Sequence, residues 1–291
     1  CYADVAMVKA ALRIPSTQTG DDAALLALCE SVSDAVDRYL GRSAHAVTAT
    51  RYFRWTGAPG HDRRSLRLDR PLIAVTAAGV DDDDDGSYEL TLVEGTDYVL
   101  EPRNRDANEP ALSLRLLRTG SQIQAWPALA DAVRITGRWG WSEETEQAGT
   151  TAEALDTSET GVDLTAGHAV AIGDTIVVDS EQMFVRAFAS ANTATVVRAV
   201  NGTTAATHLT AAAVAARRYP RALEQAALMQ AARFWNEEKS GGAAALGGCV
   251  VAPLPGYGAA ALGGSVGGFA FNSLYPAIRD LLAPFRLIGV R

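Results

Sequence analysis

Apolar residues recur along this chain in two rhythms, and the changes between them divide it. Up to Gly41 the spacing is helical. Asp4 precedes Val5, Val8 and Leu12, a three- and four-residue spacing that predicts a short capped helix ending before Pro15. After the turn STQTGDD (16–22), Leu25, Cys29, Val32, Val36, Tyr39 and Leu40 form the apolar stripe of a longer helix. Gly41 suits its C-terminal cap, and Asp34 with Arg38 is spaced for an i,i+4 ion pair.

From Val47 to Trp141 the period becomes two. Strands are predicted at 48–56, 65–69, 72–80, 87–92, 97–101, 112–116 and 132–139, parted by Gly, Pro, Asn and Asp turn signals. The acidic run DDDDDG (81–86) lacks the alternating ligands and distal Glu of an EF-hand loop, so it reads as a solvated hairpin tip. Residues 142–161 are polar and poor in large hydrophobes, as expected of a linker. A second β-rich stretch follows at 162–167, 169–179, 180–190 and 193–202, with Asn201–Gly202 as a strong turn dipeptide. Helical spacing returns after Pro220, through Leu223, Ala227, Gln230 or Ala231, and Phe234, and ends at Gly241. Residues 241–268 are Gly/Ala/Pro-rich and without period. The terminal 272–291 are amphipathic: Leu274, Ile278, Leu281, Leu282 and Phe285 make one face, interrupted by Pro276 and Pro284. The expected fold class is α+β: a helical scaffold with associated antiparallel β-strands, a small all-β domain inserted in it, and an extended C-terminal tail.

Composition narrows the functions. With 48% apolar and 21% charged residues the chain is globular, and 291 residues allow two modest domains or one with an insertion. A net charge of −8 argues against a dedicated phosphate-binding surface. The only basic clusters, Arg63–Arg64, Arg103–Arg105 and Arg217–Arg218, sit beside turns. Cys1, Cys29 and Cys249 form neither a zinc pattern nor a disulfide framework, and no apolar run approaches the ~18 residues that span a bilayer. A soluble, reduced, cytoplasm-made protein is expected.

Catalytic signatures are missing. His45, His61, His168 and His208 are scattered, and there is no nucleophile elbow or P-loop. Glu143, Glu144 and Glu181 are candidate carboxylates that sequence cannot pair. Gly173–Asp174, Glu181, Met183, Val185, Arg198, Gly202–Thr203 and His208 invite a site with Glu181 and His208 at its centre. Strand alternation and turn hydrogen bonding explain nearly all of them as structural. Tyr52, Phe53 and Trp55 are better explained by sheet packing than by base stacking. The expectation is therefore no enzyme, no cofactor and no metal.

Several segments, in order, resemble the head–tail connector (adaptor) proteins of long-tailed bacteriophages. They are DAVDRYLGR (34–42), TRYFRW (50–55), LRLDRPLIAV (66–75), GTDYVLE (95–101), RWGW (138–141) and YPRALEQAALMQAARFW (219–235), about half the chain. In that family the RWGW-type turn leads by a short loop into the Pro-started helix. The resemblance thus implies a discontinuous scaffold (1–141 and 219–240), a linker and inserted β domain (142–218), and an extension with a docking segment (241–291). IGDTIVVDSEQMFVRA (172–187) with TVVRAVNGTTAATH (195–208) is similar to a small β module of phage structural proteins.

The resemblance implies a structural protein of the virion neck. It would form a ring, probably a dodecamer, beneath the portal protein and join it to the neck or stopper protein below. DNA would pass through the channel without sequence-specific binding, and no membrane is involved. Docking on portal would fall to Leu274, Tyr275, Ile278, Leu281, Leu282 and Phe285. The rival reading is a tail-associated receptor- or carbohydrate-binding β module at 162–214.

Overall fold

The computed structural model describes residues 1–57, 62–105, 109–239 and 274–286. The Gly/Ala-rich stretch 241–268 and His61 lie outside them. The fold is mixed α+β and mostly β. The chain separates into two compact units, one made of Cys1–Arg42, Ala171–Gly173 and Arg221–Arg291, the other of Ser43–Val170 and Asp174–Pro220.

The first unit is helical. Helix α1 (Val5–Leu12) starts where the Asp4 carboxylate accepts the Met7 N–H at 2.7 Å. Helix α2 (Asp22–Leu40) ends at Gly41, whose φ of 71° suits a residue without a Cβ. Leu25, Cys29, Val32, Val36 and Leu40 are buried as the stripe predicts. Asp34 and Arg38, both exposed, make no ion pair among the described residues. In helix α3 (Arg221–Lys239) the buried positions are Leu223, Ala226, Ala227, Gln230, Ala231 and Trp235. Trp235 takes the inward place that spacing gave to Phe234, because the larger ring fills the end of the stripe and Phe234 is left half-buried. Pro276 opens helix α4 (Pro276–Leu282) instead of interrupting it, since Pro fits a first helical turn. Two buried polar ties hold the unit's start: Lys9 pairs with Asp22, and the Tyr2 hydroxyl donates to the Asp37 carboxylate. Burial pushes the Cys29 thiol up to about 12, which makes it an inert core group.

The second unit carries two antiparallel sheets. The first contains β1 (Val47–Phe53), β2 (Ser65–Val80), β3 (Leu90–Leu92), β4 (Tyr98–Glu101), β5 (Ala111–Leu116) and β6 (Val133–Trp139). Its order is β1-β6-β2-β5-β4, with β3 on β2. Two predicted strands merge into β2, which runs through Pro71. Its register shifts between Arg67 and Leu72 and again between Leu72 and Ala74, so the proline sits where pairing is already interrupted. One face buries Leu66, Leu72, Tyr98, Leu114, Leu116, Ile135, Trp126 and Trp139. The two indoles donate inward, Trp126 Nε1 to Arg64 O (3.0 Å) and Trp139 Nε1 to Ala49 O (2.9 Å).

The second sheet contains β7 (Thr145–Thr150), β8 (Gly161–Asp163), β9 (Thr175–Val178), β10 (Glu181–Phe188), β11 (Thr193–Val197) and β12 (Ala213–Arg217), in the order β7-β12-β9-β10-β11-β8. Thr151 bridges Leu164, and Ala152 N–H donates to Asp163 O at 2.7 Å, so the last strand returns to the first and the sheet closes as a barrel. Inside are small and medium apolar groups: Val162, Ile176, Val178, Met183, Val185, Ala194, Val196 and Val214. The expected linker therefore contains a strand. Only Ala148 of β7 points inward, so its polar residues hide a segment held by the backbone ladder to β12.

Candidate functional site

Three places in the molecule gather chemistry, and each belongs to one unit. The first is the C-terminal segment in the helical unit. A seven-residue helix has too few hydrogen bonds to persist alone, so its stability comes from packing. Leu274, Ile278 and Leu282 recur every four residues and are all buried, facing the unit's own helices. Tyr275, Leu281 and Phe285 are half-buried. The polar fastenings come from α2 and α3. Tyr39 Oη donates to Arg279 O at 3.2 Å, and the Arg42 guanidinium donates to Phe285 O, its Nε at 2.8 Å. Tyr275 Oη donates to Glu237 Oε1 at 2.9 Å, while the Arg233 guanidinium lies 3.1 Å from the Tyr275 ring centre. Burial and the Glu237 carboxylate push the Tyr275 phenol up. All six residues expected to dock on portal thus sit together in one folded segment, three inward and three partly outward.

The second is a charged cluster in the barrel. Glu181 is fully buried at the start of β10. Its carboxylate accepts from Arg198 Nε and a terminal Arg198 nitrogen (2.7 Å each), from His208 Nε2 (2.9 Å), and from the backbone N–H groups of Ala199 (3.1 Å) and Ala206 (2.9 Å). His208 Nδ1 meets Asp179 Oδ2 at 2.7 Å. Arg198 also donates to the carbonyls of Asp156, Glu159 and Ala206 at 2.7–2.9 Å. Burial works against the charge on Glu181. The donors from Arg198, Ala206, His208 and Ala199 outweigh it and hold the group down to about 2.

This cluster unites Glu181, Arg198 and His208 as the sequence grouping suggested, with Met183 and Val185 in the core beside them. Sequence reasoning passed over Asp179. Its signal was the tight Asp179–Ser180 turn before Glu181, where Asp179 adopts φ 52°. Chemically, the carboxylate is saturated by donors and closed to solvent, so it is shaped to tie strands together rather than to receive a substrate. Of the other candidate carboxylates, Glu143 pairs with Arg138 at 2.6 Å. His45, half-buried against Tyr219 with Nδ1 2.6 Å from its hydroxyl, is pushed down to about 3 by loss of solvent around the ring.

The third is the solvent face of the first sheet. An open groove of about 250 Å3 is floored by Ala77, Ala78 and Gly79 and edged by Thr50, Tyr52, Thr91, Arg134 and Thr136. Arg134 lies over the Tyr88 ring at 4.2 Å. Tyr52 is exposed, whereas Phe53 is buried and stacks on Trp139 at 5.6 Å, so the two aromatics alternate across the sheet. Next to this face, the acidic run proves only partly solvated. Asp81 is buried, and its two oxygens accept the N–H groups of Asp84 (2.7 Å) and Gly86 (2.9 Å), building the turn from within. Asp81, Asp83 and Glu89 each bring an oxygen within 4.8 Å of the others, the arrangement nearest to a cation site among the described residues. Two of the three basic clusters are spent internally, while Arg103 of the third is exposed. Arg63 donates to Trp126 O and Arg64 to Leu116 O; Arg217 donates to Glu143 O, and Arg218 pairs with Glu146.

No helix among the described residues is long and apolar enough to cross a membrane. No protein-family model and no curated protein matches the sequence. Among solved structures the chain is similar to one from the neck of an empty GTA particle computed with C6 symmetry, at 14% identity and a TM-score of 0.39, over 100% of this chain and 92% of that one.

Proposed function

We propose that this protein is a structural, non-enzymatic head-to-tail adaptor. It forms a ring beneath a portal and joins it to the next neck protein around a DNA channel. The observation that carries this reading is the ordered set of connector-like segments. They supply α2, β1, β2, β4, β6 and α3, the long helices and the main strands of the first sheet. The sealed Glu181–Arg198–His208 cluster supports a building role, because its polar atoms are committed to one another. A net charge of −8 suits a channel that lets DNA slide without a salt-dependent grip.

The middle of the chain is read as an insertion. Its two ends lie side by side: β7 and β12 pair from Thr145–Arg217 to Thr150–Ala213, and Arg218 N–H donates to Glu144 O at 2.9 Å. A domain whose ends meet can be added to an older loop with little disturbance. In the docking segment, Leu274, Ile278 and Leu282 fasten it to the helical unit, Tyr275 is seated against Arg233 and Glu237, and Leu281 and Phe285 offer the outward apolar surface to portal.

Negative-stain imaging of the protein mixed with portal tests the reading. A ring stacked on the portal is expected; persistent single copies that leave portal bare would overturn it. Leu281→Asp with Phe285→Asp should abolish stacking while the helices stay folded by circular dichroism. Undiminished stacking would remove the docking role from this segment.

A further inference from the structure

We infer that the groove between α2 and α3 is an exchangeable receptor, and that in the assembled ring it is filled by residues 274–286 of the adjacent copy. The inference rests on the ring reading and adds how copies would be joined.

The groove is a peptide-binding site by its chemistry. It holds an amphipathic helix through residues spaced i, i+4 and i+8, the mode of helix-in-groove recognition. Two of its polar contacts, from Tyr39 and Arg42, go to main-chain carbonyls at Arg279 and Phe285. Those contacts would form with the segment of any copy. Arg233 and Glu237 add a specific seat for Tyr275.

The occupant follows from chain length. Residues 240–273 separate the end of α3 from Leu274. A stretch of that length can reach on the order of 100 Å, so it does not confine Leu274 to the groove of its own copy. Segment and groove are different surfaces of one chain. Passing the segment to the next groove is therefore a heterologous, head-to-tail contact, the kind that closes into a ring. In a free copy the segment fills its own groove because the local concentration is high. In a ring the neighbour's groove competes on similar terms, with every contact conserved.

Thiol crosslinking distinguishes the two arrangements in the full-length protein. Cys1 and Cys249 are first changed to Ser, leaving the buried Cys29. One tagged variant carries Arg233→Cys and a second, untagged, carries Tyr275→Cys. The two are mixed, assembled with portal and treated with a short bismaleimide. Each copy holds one accessible cysteine of the pair, so a tagged–untagged product arises only in trans. In a head-to-tail ring from an equal mixture about one junction in four joins the two cysteines, so a strong heterodimer band is expected.

A double variant, Arg233→Cys with Tyr275→Cys, confirms that the pair reacts. It should give a ladder reaching the full ring. If it instead gives only internally closed monomers while images show intact rings, exchange is overturned and the adaptor reading stands. Failure to form rings in the unmodified protein would strike the adaptor reading itself.

Discussion

The two sheets of the larger unit solve the same problem with different materials. The first is open and stabilised by bulk: Trp126, Trp139, Tyr98 and several leucines on one face. Each large side chain removes much apolar area from water, at ~25 cal/mol per Å2. The barrel is closed, and its strands are short and lined by Val, Ala, Ile and one Met. Its interior supplies less apolar area per residue, and a buried ionic cluster joins the turn before β10, the end of β11 and the loop leading to β12. Where bulk is scarce, polar groups fix the geometry instead. The penalty is vulnerability: a well-packed apolar site degrades gradually, whereas a buried charge stripped of its partner fails abruptly.

Arg198→Ala should be the most damaging change. It leaves Glu181 charged and buried and removes the donors to three carbonyls, so a loss of about 3–5 kcal/mol is expected in urea unfolding followed through the methyl signals of Met183 and Val185. A loss under about 1 kcal/mol would mean that the barrel does not depend on its cluster. Acid should separate the sheets next. Glu181 is held at about 2 in the folded chain against an ordinary 4.5. Its contribution is complete above about pH 4.5 and disappears as pH falls through about 2, with an upper bound of about 3 kcal/mol. Barrel methyl signals should therefore broaden at a higher pH than that of Ile135 in the first sheet.

A smaller effect is expected at a turn that touches β1. Gly202 has φ 76°, and a Cβ there would lie 2.1 Å from Thr48 O. Gly202→Ala should cost about 2–3 kcal/mol. Gly86→Ala, also at positive φ but in open space, should cost about 1 kcal/mol, and equal melting shifts for the two would refute the close-contact argument. Least of all, Tyr52→Ser on the exposed face should change stability by less than about 0.5 kcal/mol.

Legibility followed the same contrast. The first sheet could be read because its inward residues are large and alternate with polar ones, as in Val133, Ile135 and Trp139 of β6. β7 could not: TEQAGT offers a single inward Ala, and its partner β12, AVAAR, reads as featureless alanine. There the information resides in pairing with distant strands, which local period does not carry. Helix α2 was legible nearly residue by residue, while Phe234 against Trp235 turned on the size of the space available. Asp81 shows the limit for charge runs. Five identical residues look equivalent, yet the first is withdrawn from solvent to hold the turn that displays the rest. The charged cluster was visible as a grouping, but its closure around Glu181 required the register of β9, β10 and β11.

The pairing of β7 with β12, which brings the barrel's two ends together, also has a mechanical meaning. Because the chain enters through β7 and leaves through β12, pulling residues 142 and 218 apart loads one ladder from its end. The rungs would open singly, beginning with Arg218–Glu144 and the Arg217 contact to Glu143. While those rungs hold, tension passes across the base and the rest of the barrel carries none. A load drawn through the chain at these two points would thus stress the frame of the larger unit and leave the barrel mechanically idle.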